Sequence, residues 1–280
     1  MNNKGDFVAG LRREDFQAFL DKEPATIDDF SDTDVPLSVG IVFDASGSFI
    51  DQPSGGTKPL LISSLQQALT NFLGVGNKSN EYFLLAFNNK PQLLLDWTSD
   101  SKSLVDSVSD VRPQGITALF DGCYLAMDKV QRGRYSKRVL ILLSDGQDNN
   151  STYTFVQLRE ALRESDVLLY AINFPHERDA GSVLEMEGQG ILKELSSLSG
   201  GRFFSRKEGR RLKVSDATLI FEYIATELRH QYTIGIKPQI SNVDRKWHKI
   251  KVKIKSSADG SGKMKGLSVR AREGFYLSDR

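Results

Sequence analysis

The chain has 280 residues, 39% of them hydrophobic and 26% charged, an average globular composition that supplies a sizeable core and excludes wholesale disorder. Its 37 Lys and Arg against 36 Asp and Glu leave a net charge of +1, so no global field points to nucleic acid or to an anionic membrane. The single cysteine, Cys123, excludes an internal disulfide framework and a cysteine-based zinc site, and reads as a small buried apolar residue.

In chain order, the opening Met-Asn-Asn-Lys-Gly-Asp lacks the apolar stretch and small-residue cleavage site of a signal peptide. Phe7 to Phe30 alternates polar and apolar residues, which predicts strands with one wet face. From Leu37 to about Arg229, short apolar runs alternate with helical periodicity. Leu37 to Phe43 is a buried strand, and after the loop Asp44 to Thr57 a helix is carried by Leu61, Leu65, Ala68, Leu69 and Phe72 until Gly74 and Gly76 stop it. Tyr82 to Phe87 is the next strand. The link Asn88 to Pro91 is too short for a crossover, so the run Gln92 to Leu95 is expected to return antiparallel. Helices follow at Ser101 to Ser109 and Ala118 to Gln131, a strand at Arg138 to Leu143, a helix at Phe155 to Arg163 and a strand at Val167 to Asn173. A loop from Glu177 to Gly190, either a partner contact or an insertion, precedes a helix at Ile191 to Leu198, a strand at Arg202 to Ser205 and a helix at Ser215 to His230. No apolar run approaches the roughly 20 residues of a membrane span.

Six strands with intervening helices predict an α/β fold with a doubly wound, mostly parallel six-stranded sheet and helices on both faces, ligands sitting beyond the carboxyl ends of the strands. Gln231 to Leu277 returns to alternation. Residues 1–36 carry 4 Lys/Arg against 9 Asp/Glu, and residues 241–280 carry 11 against 4. Opposite charge predicts that the termini, 1–36 and 231–280, pair in a small accessory β subdomain flanking a core domain over 37–230, with Ala258 to Lys265 as a flexible hairpin tip. The row Lys249, Lys251, Lys253, Lys255 reads as a solvated strand face, the alternative being a basic face for an anionic polymer or lipid surface.

The first core strand ends in Asp44-Ala45-Ser46-Gly47-Ser48. A carboxylate and two hydroxyls at alternate positions can converge as hard oxygen donors on one small divalent cation. Gly115-Ile116-Thr117 and Ser144-Asp145-Gly146 fall at the same edge of the predicted sheet. Asp148 reads either as an acceptor behind such ligands or as a plain loop carboxylate, and Asp121 as a first-turn carboxylate favoured by the helix dipole.

In these segments the chain resembles the von Willebrand factor A domain, whose metal-ion-dependent adhesion site has the pattern Asp-x-Ser-x-Ser, then a Thr, then an Asp. The resemblance implies that Asp44, Ser46, Ser48, Thr117 and Asp145 hold Mg²⁺, with Mn²⁺ or Ca²⁺ as alternatives, the hydroxyls directly and the two carboxylates mainly through water. It implies further that an exposed Asp or Glu of a protein partner completes the metal's coordination, which makes the chain a metal-dependent adhesion or interaction module rather than an enzyme. A non-catalytic subunit of a chelatase- or secretion-type assembly would use the same metal site. A Mg²⁺-dependent hydrolase is the third alternative, but His176, His230 and His248 read as surface residues outside any motif beside the metal loops. The residue two after Asp44 is Ser46 rather than a second aspartate, and there is no Gly-x-Ser-x-Gly elbow, Gly-x-Gly-x-x-Gly loop or nucleotide P-loop. Leu192 to Phe204 resembles the last helix and strand of such domains. Leu11 to Phe16, Tyr232 to Lys237 and Val269 to Tyr276 resemble the flanks of a bacterial subfamily common in acidobacteria. Its members usually carry an export signal upstream, which implies an exported mature fragment, periplasmic or extracellular.

Overall fold

The computed structural model describes residues 7–47, 60–111, 113–174, 181–205, 214–237, 246–255 and 266–276. In chain order its elements are β1 (Phe16–Leu20), β2 (Glu23–Ser31), β3 (Ser38–Asp44), α1 (Leu60–Val75), β4 (Glu81–Phe87) and β5 (Pro91–Thr98). Next come α2 (Ser101–Ser107), α3 (Leu119–Gln131), β6 (Arg138–Ser144), α4 (Phe155–Glu164), β7 (Leu168–Asn173), α5 (Val183–Ser199) and β8 (Phe203–Phe204). The chain continues through α6 (Val214–Arg229), β9 (Thr233–Lys237), β10 (Trp247–Ile254) and β11 (Gly274–Tyr276). These form two compact units, Val35–Thr226 and Met1–Asp34 with Glu227–Arg280. Among the described residues no helix is long and apolar enough to cross a membrane.

The α/β unit holds a six-stranded sheet of order β5-β4-β3-β6-β7-β8. β3 runs parallel to both β4 and β6, placing Asp44 beside Phe87 and Phe43 beside Leu143. β6 runs parallel to β7, with Ser144 beside Asn173. β3, β4 and β6 carry unbroken apolar runs because strands buried on both faces need no alternation. Val42, Leu85, Phe87, Leu140, Leu142 and Leu169 share a buried cluster with residues of α3, α4 and α5. On α1, Phe72 stands edge-on to Tyr82, at 6.1 Å, and to Phe221 of α6, at 5.8 Å. Cys123 lies within the core, where burial pushes its thiol pKa up and keeps it protonated.

The second unit is a curled antiparallel sheet of order β11-β10-β1-β2-β9. The register pairs Phe16 with Ile254 and Leu20 with Ile250. Phe16, Ala18 and Ile27 form its buried core, flanked by Phe30, Tyr232, Ile234, Val252 and Ile254. The Tyr232 hydroxyl donates to the Val8 carbonyl at 2.8 Å and accepts the Leu11 amide at 3.0 Å.

The expectation of a doubly wound, mostly parallel six-stranded sheet is corrected. The sheet is mixed: β5 runs antiparallel at one edge, as the short Asn88–Lys90 link predicts, and β8 contributes only two residues at the other. The terminal segments pair as expected, but they build a curled five-stranded sheet with its own core rather than a small accessory. Charge complementarity does not set its register. The direct neighbours of Lys251 and Lys253 are Phe19 and Gln17, and the Lys253 ammonium lies 5.0 Å from the Phe19 ring centre. All four lysines of that row are exposed. His248, read as a surface residue, is buried, its Nδ1 2.7 Å from the Asp21 carboxylate. His230 is exposed and stacks on Phe7, whereas His176 and the segment Ala258 to Lys265 lie outside the described residues.

The loop expected from Glu177 to Gly190 is also corrected. α5 begins at Val183, with the Ser182 side chain accepting the Glu185 amide at 3.1 Å. Gly188 and Gly190, which fall in the expected loop, lie inside that helix. At its far end Gly200 caps the helix with φ +82°, as its position predicts.

Because Phe72 is fully buried between two other rings, Phe72→Ala should lower the unfolding free energy by about 3–5 kcal/mol. Urea unfolding of the two proteins side by side measures it.

Candidate functional site

β3 ends at Asp44, which is 1% exposed. Its Oδ1 accepts the Ser46 amide at 2.8 Å, the Ser46 hydroxyl also hydrogen-bonds the carboxylate, and the Ser144 hydroxyl stands 3.4 Å from Oδ2. Asp and Ser two residues apart thus close a local turn, as short polar side chains do at strand ends. Asp145 repeats the arrangement after β6, its Oδ1 accepting the Gln147 amide at 2.9 Å. Ser144 Oγ accepts the Gly146 amide at 3.0 Å.

Main-chain bonds tie the loops together. The Ala45 amide donates to the Phe87 carbonyl at 2.7 Å, Gly47 to Gly115 at 2.9 Å, Gln114 to Ala45 at 2.9 Å and Ala118 to Asn88 at 2.7 Å. Gly115 has φ +78°, and a Cβ there would lie 2.0 Å from Asn89 Oδ1, the atom that accepts the Ile116 amide at 2.8 Å. Glycine is therefore required there twice over. Thr117 is clamped by the loop after β6. Asn149 Oδ1 accepts the Thr117 amide at 2.8 Å, and the amides of Asn149 and Asn150 both donate to the Thr117 carbonyl at 3.0 Å. Among the described residues no hydrogen bond uses the Thr117 hydroxyl, although the residue is only 5% exposed.

The same loop starts α3, whose N-cap, Ala118, has no side-chain oxygen to offer. Asp148 Oδ1 accepts the Phe120 amide at 3.2 Å and the Ser151 hydroxyl at 2.5 Å, while Ser151 Oγ accepts the Asp121 amide at 3.1 Å. Asp121 Oδ1 in turn accepts the amides of Thr152 and Tyr153, both at 2.9 Å, so this first-turn carboxylate also latches the loop. On its other side the Asp145 loop touches α5 through two glycines. A Cβ on Gly146 would lie 2.2 Å from the Gly188 carbonyl oxygen, and one on Gly188 would lie 2.3 Å from that of Asp145.

Asp44, Ser46, Thr117 and Asp145 thus sit on interlocked loops at one edge of the sheet, and Ser48 lies outside the described residues. Sequence reasoning missed Asn149 and Asn89, which hold Thr117 and Ile116. The polar run from Gln147 to Thr152 was the signal for Asn149, and the short link Asn88 to Pro91 that for Asn89.

Burial pushes the Asp44 pKa up from an ordinary 3.8 to about 7. The bonds from Ser46 and Ser144 oppose this shift, and the nearby Asp145 charge reinforces it. None of these groups is cationic. The arrangement can accept positive charge through two carboxylates and two hydroxyls, and among the described residues no three His, Cys, Asp or Glu side chains converge on a metal-sized site.

Residues 39–147 match the family model of the von Willebrand factor type A domain. The α/β unit thus carries the signature of a von Willebrand factor type A domain. The A-domain fold also appears in the solved structures similar to this chain. The vWF domain of the type V pili tip protein Mfa5 from Porphyromonas gingivalis is 14% identical, over 69% of this chain and 96% of that one, with a TM-score of 0.52. An aerotolerance-related membrane protein from Bacteroides fragilis is 16% identical, over 70% of this chain and 100% of that one, with a TM-score of 0.51. The PilB minor pilin from Streptococcus sanguinis, as its D319A mutant, is 13% identical over 70% of this chain, with a TM-score of 0.55. At these identities the likeness is one of fold. The chain spans 62% of that PilB chain and 20% of a three-domain Mfa5 chain. Comparison with curated proteins yields no sequence match.

The buried carboxylate gives the metal-free A domain a pH signature. Below 3.8 Asp44 is neutral in both the folded and the unfolded chain, and between 3.8 and about 7 only the unfolded chain releases its proton. Stability is therefore lost progressively across that window and levels off above it. Unfolding in EDTA should show this decline relative to Asp44→Asn, and parallel curves for the two proteins would contradict it. Separately, Asn149→Ala should cost about 1–3 kcal/mol, because it leaves the Thr117 amide without its acceptor. Chemical unfolding measures that loss.

Proposed function

We propose that the A domain is a metal-dependent interaction module in which Asp44, Ser46, Ser48, Thr117 and Asp145 hold Mg²⁺, or Mn²⁺ or Ca²⁺, and through it an acidic side chain of a protein partner. The observation that carries this reading is the Asp44 carboxylate, buried beside Asp145 with hydroxyls and an amide around it and, among the described residues, no cationic group acting on it. A buried carboxylate is unfavourable unless a positive charge compensates it. Oxygen donors alone suit a small hard cation, and neutral hydroxyls leave such a cation able to accept a further carboxylate. That electrophilic position is the chemistry the metal supplies when bound.

The chain's own residues do the rest. Ser46 and Thr117 present hydroxyls from loops whose backbones are fixed by main-chain bonds and by Asn149, so little reorganisation opposes capture of the ion. Asp44 and Asp145 supply the negative charge. Ile116, exposed beside Thr117, offers an apolar contact at the same loop for a protein surface. Family membership supports an interaction role, and the Mfa5 and PilB folds belong to pilus proteins.

The test is thermal unfolding of the chain in EDTA and across a Mg²⁺ or Mn²⁺ titration, beside Asp44→Ala and Thr117→Ala. At about 100 times the dissociation constant, binding to the folded state adds roughly 2.7 kcal/mol, which at about 2–4 °C per kcal/mol raises Tm by several degrees. Both variants should fold and lose the shift. A chain whose Tm ignores millimolar metal, and whose variants behave identically, would refute the reading.

A further inference from the structure

We propose that Asn173 is a positioning residue of this site, acting on Asp44 through the Ser144 hydroxyl; the proposal rests on the metal-binding reading above. Ser144 and Asn173 are direct register partners of β6 and β7, and Phe43 beside Leu143 brings Asp44 level with Ser144. Matched positions of parallel strands project from the same face of a sheet, so Asp44, Ser144 and Asn173 form a polar row across three strand ends. All three are at most 1% exposed.

The hydrogen bonds of that row are incomplete at one place. Ser144 Oγ stands 3.4 Å from Asp44 Oδ2, to which its proton points, and accepts the Gly146 amide at 3.0 Å. A serine hydroxyl has one donor and two acceptor positions, so one acceptor position on Ser144 is unused among the described residues. On the adjacent strand, neither Nδ2 nor Oδ1 of Asn173 has a hydrogen-bond partner among the described residues. A buried amide left unpaired is among the more costly arrangements in a core, and the preceding β7 positions Leu169, Ala171 and Ile172 show that apolar residues fit this strand.

The unused donor and the unused acceptor lie on adjacent strands, about 4.8 Å apart by ordinary sheet spacing. A rotamer change or one ordered water connects them. With Asn173 Nδ2 donating to Ser144 Oγ, the Ser144 proton is committed to Asp44 Oδ2, and the 3.4 Å contact tightens as successive hydrogen bonds polarise one another. Asp44 is then held as an oriented acceptor when the ion arrives. The amide has an unfavourable environment without metal and a use with it.

The experiment combines urea unfolding in EDTA with calorimetric Mg²⁺ titration of the wild-type chain, Asn173→Leu, Ser144→Ala and the double variant. Asn173→Leu should be at least as stable as wild type in EDTA, since it removes an unpaired buried amide. Its Mg²⁺ dissociation constant should rise about tenfold, the usual scale for partners that orient metal ligands, and in the Ser144→Ala background the same substitution should have no further effect. Asn173→Ala takes the place of the leucine variant should the larger side chain prevent folding, with the same expected rise. Wild-type Mg²⁺ binding with an unchanged constant in Asn173→Leu overturns this inference alone. A variant destabilised in EDTA with unaltered Mg²⁺ affinity assigns the amide to structure and overturns it too. Absence of Mg²⁺ binding by the wild-type chain overturns the metal reading, and this proposal with it.

Discussion

The parallel strands of the α/β unit run in step, and the chemistry at their ends depends on that register. Side chains alternate faces along a strand, so a slip of one residue would turn Asp44 or Ser144 to the opposite side of the sheet. What prevents the slip lies elsewhere. Val42, Leu85 and Leu140 belong to one buried cluster, and moving any of these strands by one residue would bring side chains of different size into it. The placement of the polar row is thus decided by apolar residues that touch none of it.

The loops beyond the strands are organised on a complementary principle. Their backbones are joined by main-chain bonds, Gly47 to Gly115 and Gln114 to Ala45, and by asparagine side chains, Asn149 to Thr117 and Asn89 to Ile116. Neutral groups are joined in this frame by the Asp121 and Asp148 carboxylates, which accept backbone amides of the same loops. Asp44 and Asp145 share a buried neighbourhood on the frame so formed.

How much of this was legible in the sequence follows from the range of the interactions involved. The strands and helices of the core announced themselves through local periodicity, as did the loop positions of Asp44, Ser46 and Asp145 after predicted strands and of Thr117 before a predicted helix. The first half of α5 was expected as loop because it is rich in glycine, when Gly188 is there for its close approach to Asp145, a contact 43 residues away in the chain that no local pattern encodes. His248 was misread for the same reason, since its partner Asp21 is 227 residues distant. The terminal sheet was underestimated because alternation identifies a strand but gives neither how many neighbours it has nor their order. Asn173 carries no signal at all in one dimension. Only the three-strand register shows that it stands in line with Ser144 and Asp44.

The pairing of β1 with β10 has a consequence for the way the chain is made. Phe16 finds Ile254, and Ser31 finds Thr233, only after the α/β unit between them has been synthesised. During vectorial synthesis the β1–β2 hairpin therefore emerges before the α/β unit and waits, with both outer edges unpaired, until β9 and β10 have been made. Isolated hairpins are marginal in water and open edges invite other strands. The first 36 residues carry 9 Asp/Glu against 4 Lys/Arg, and charge of one sign disfavours edge-to-edge pairing of such hairpins.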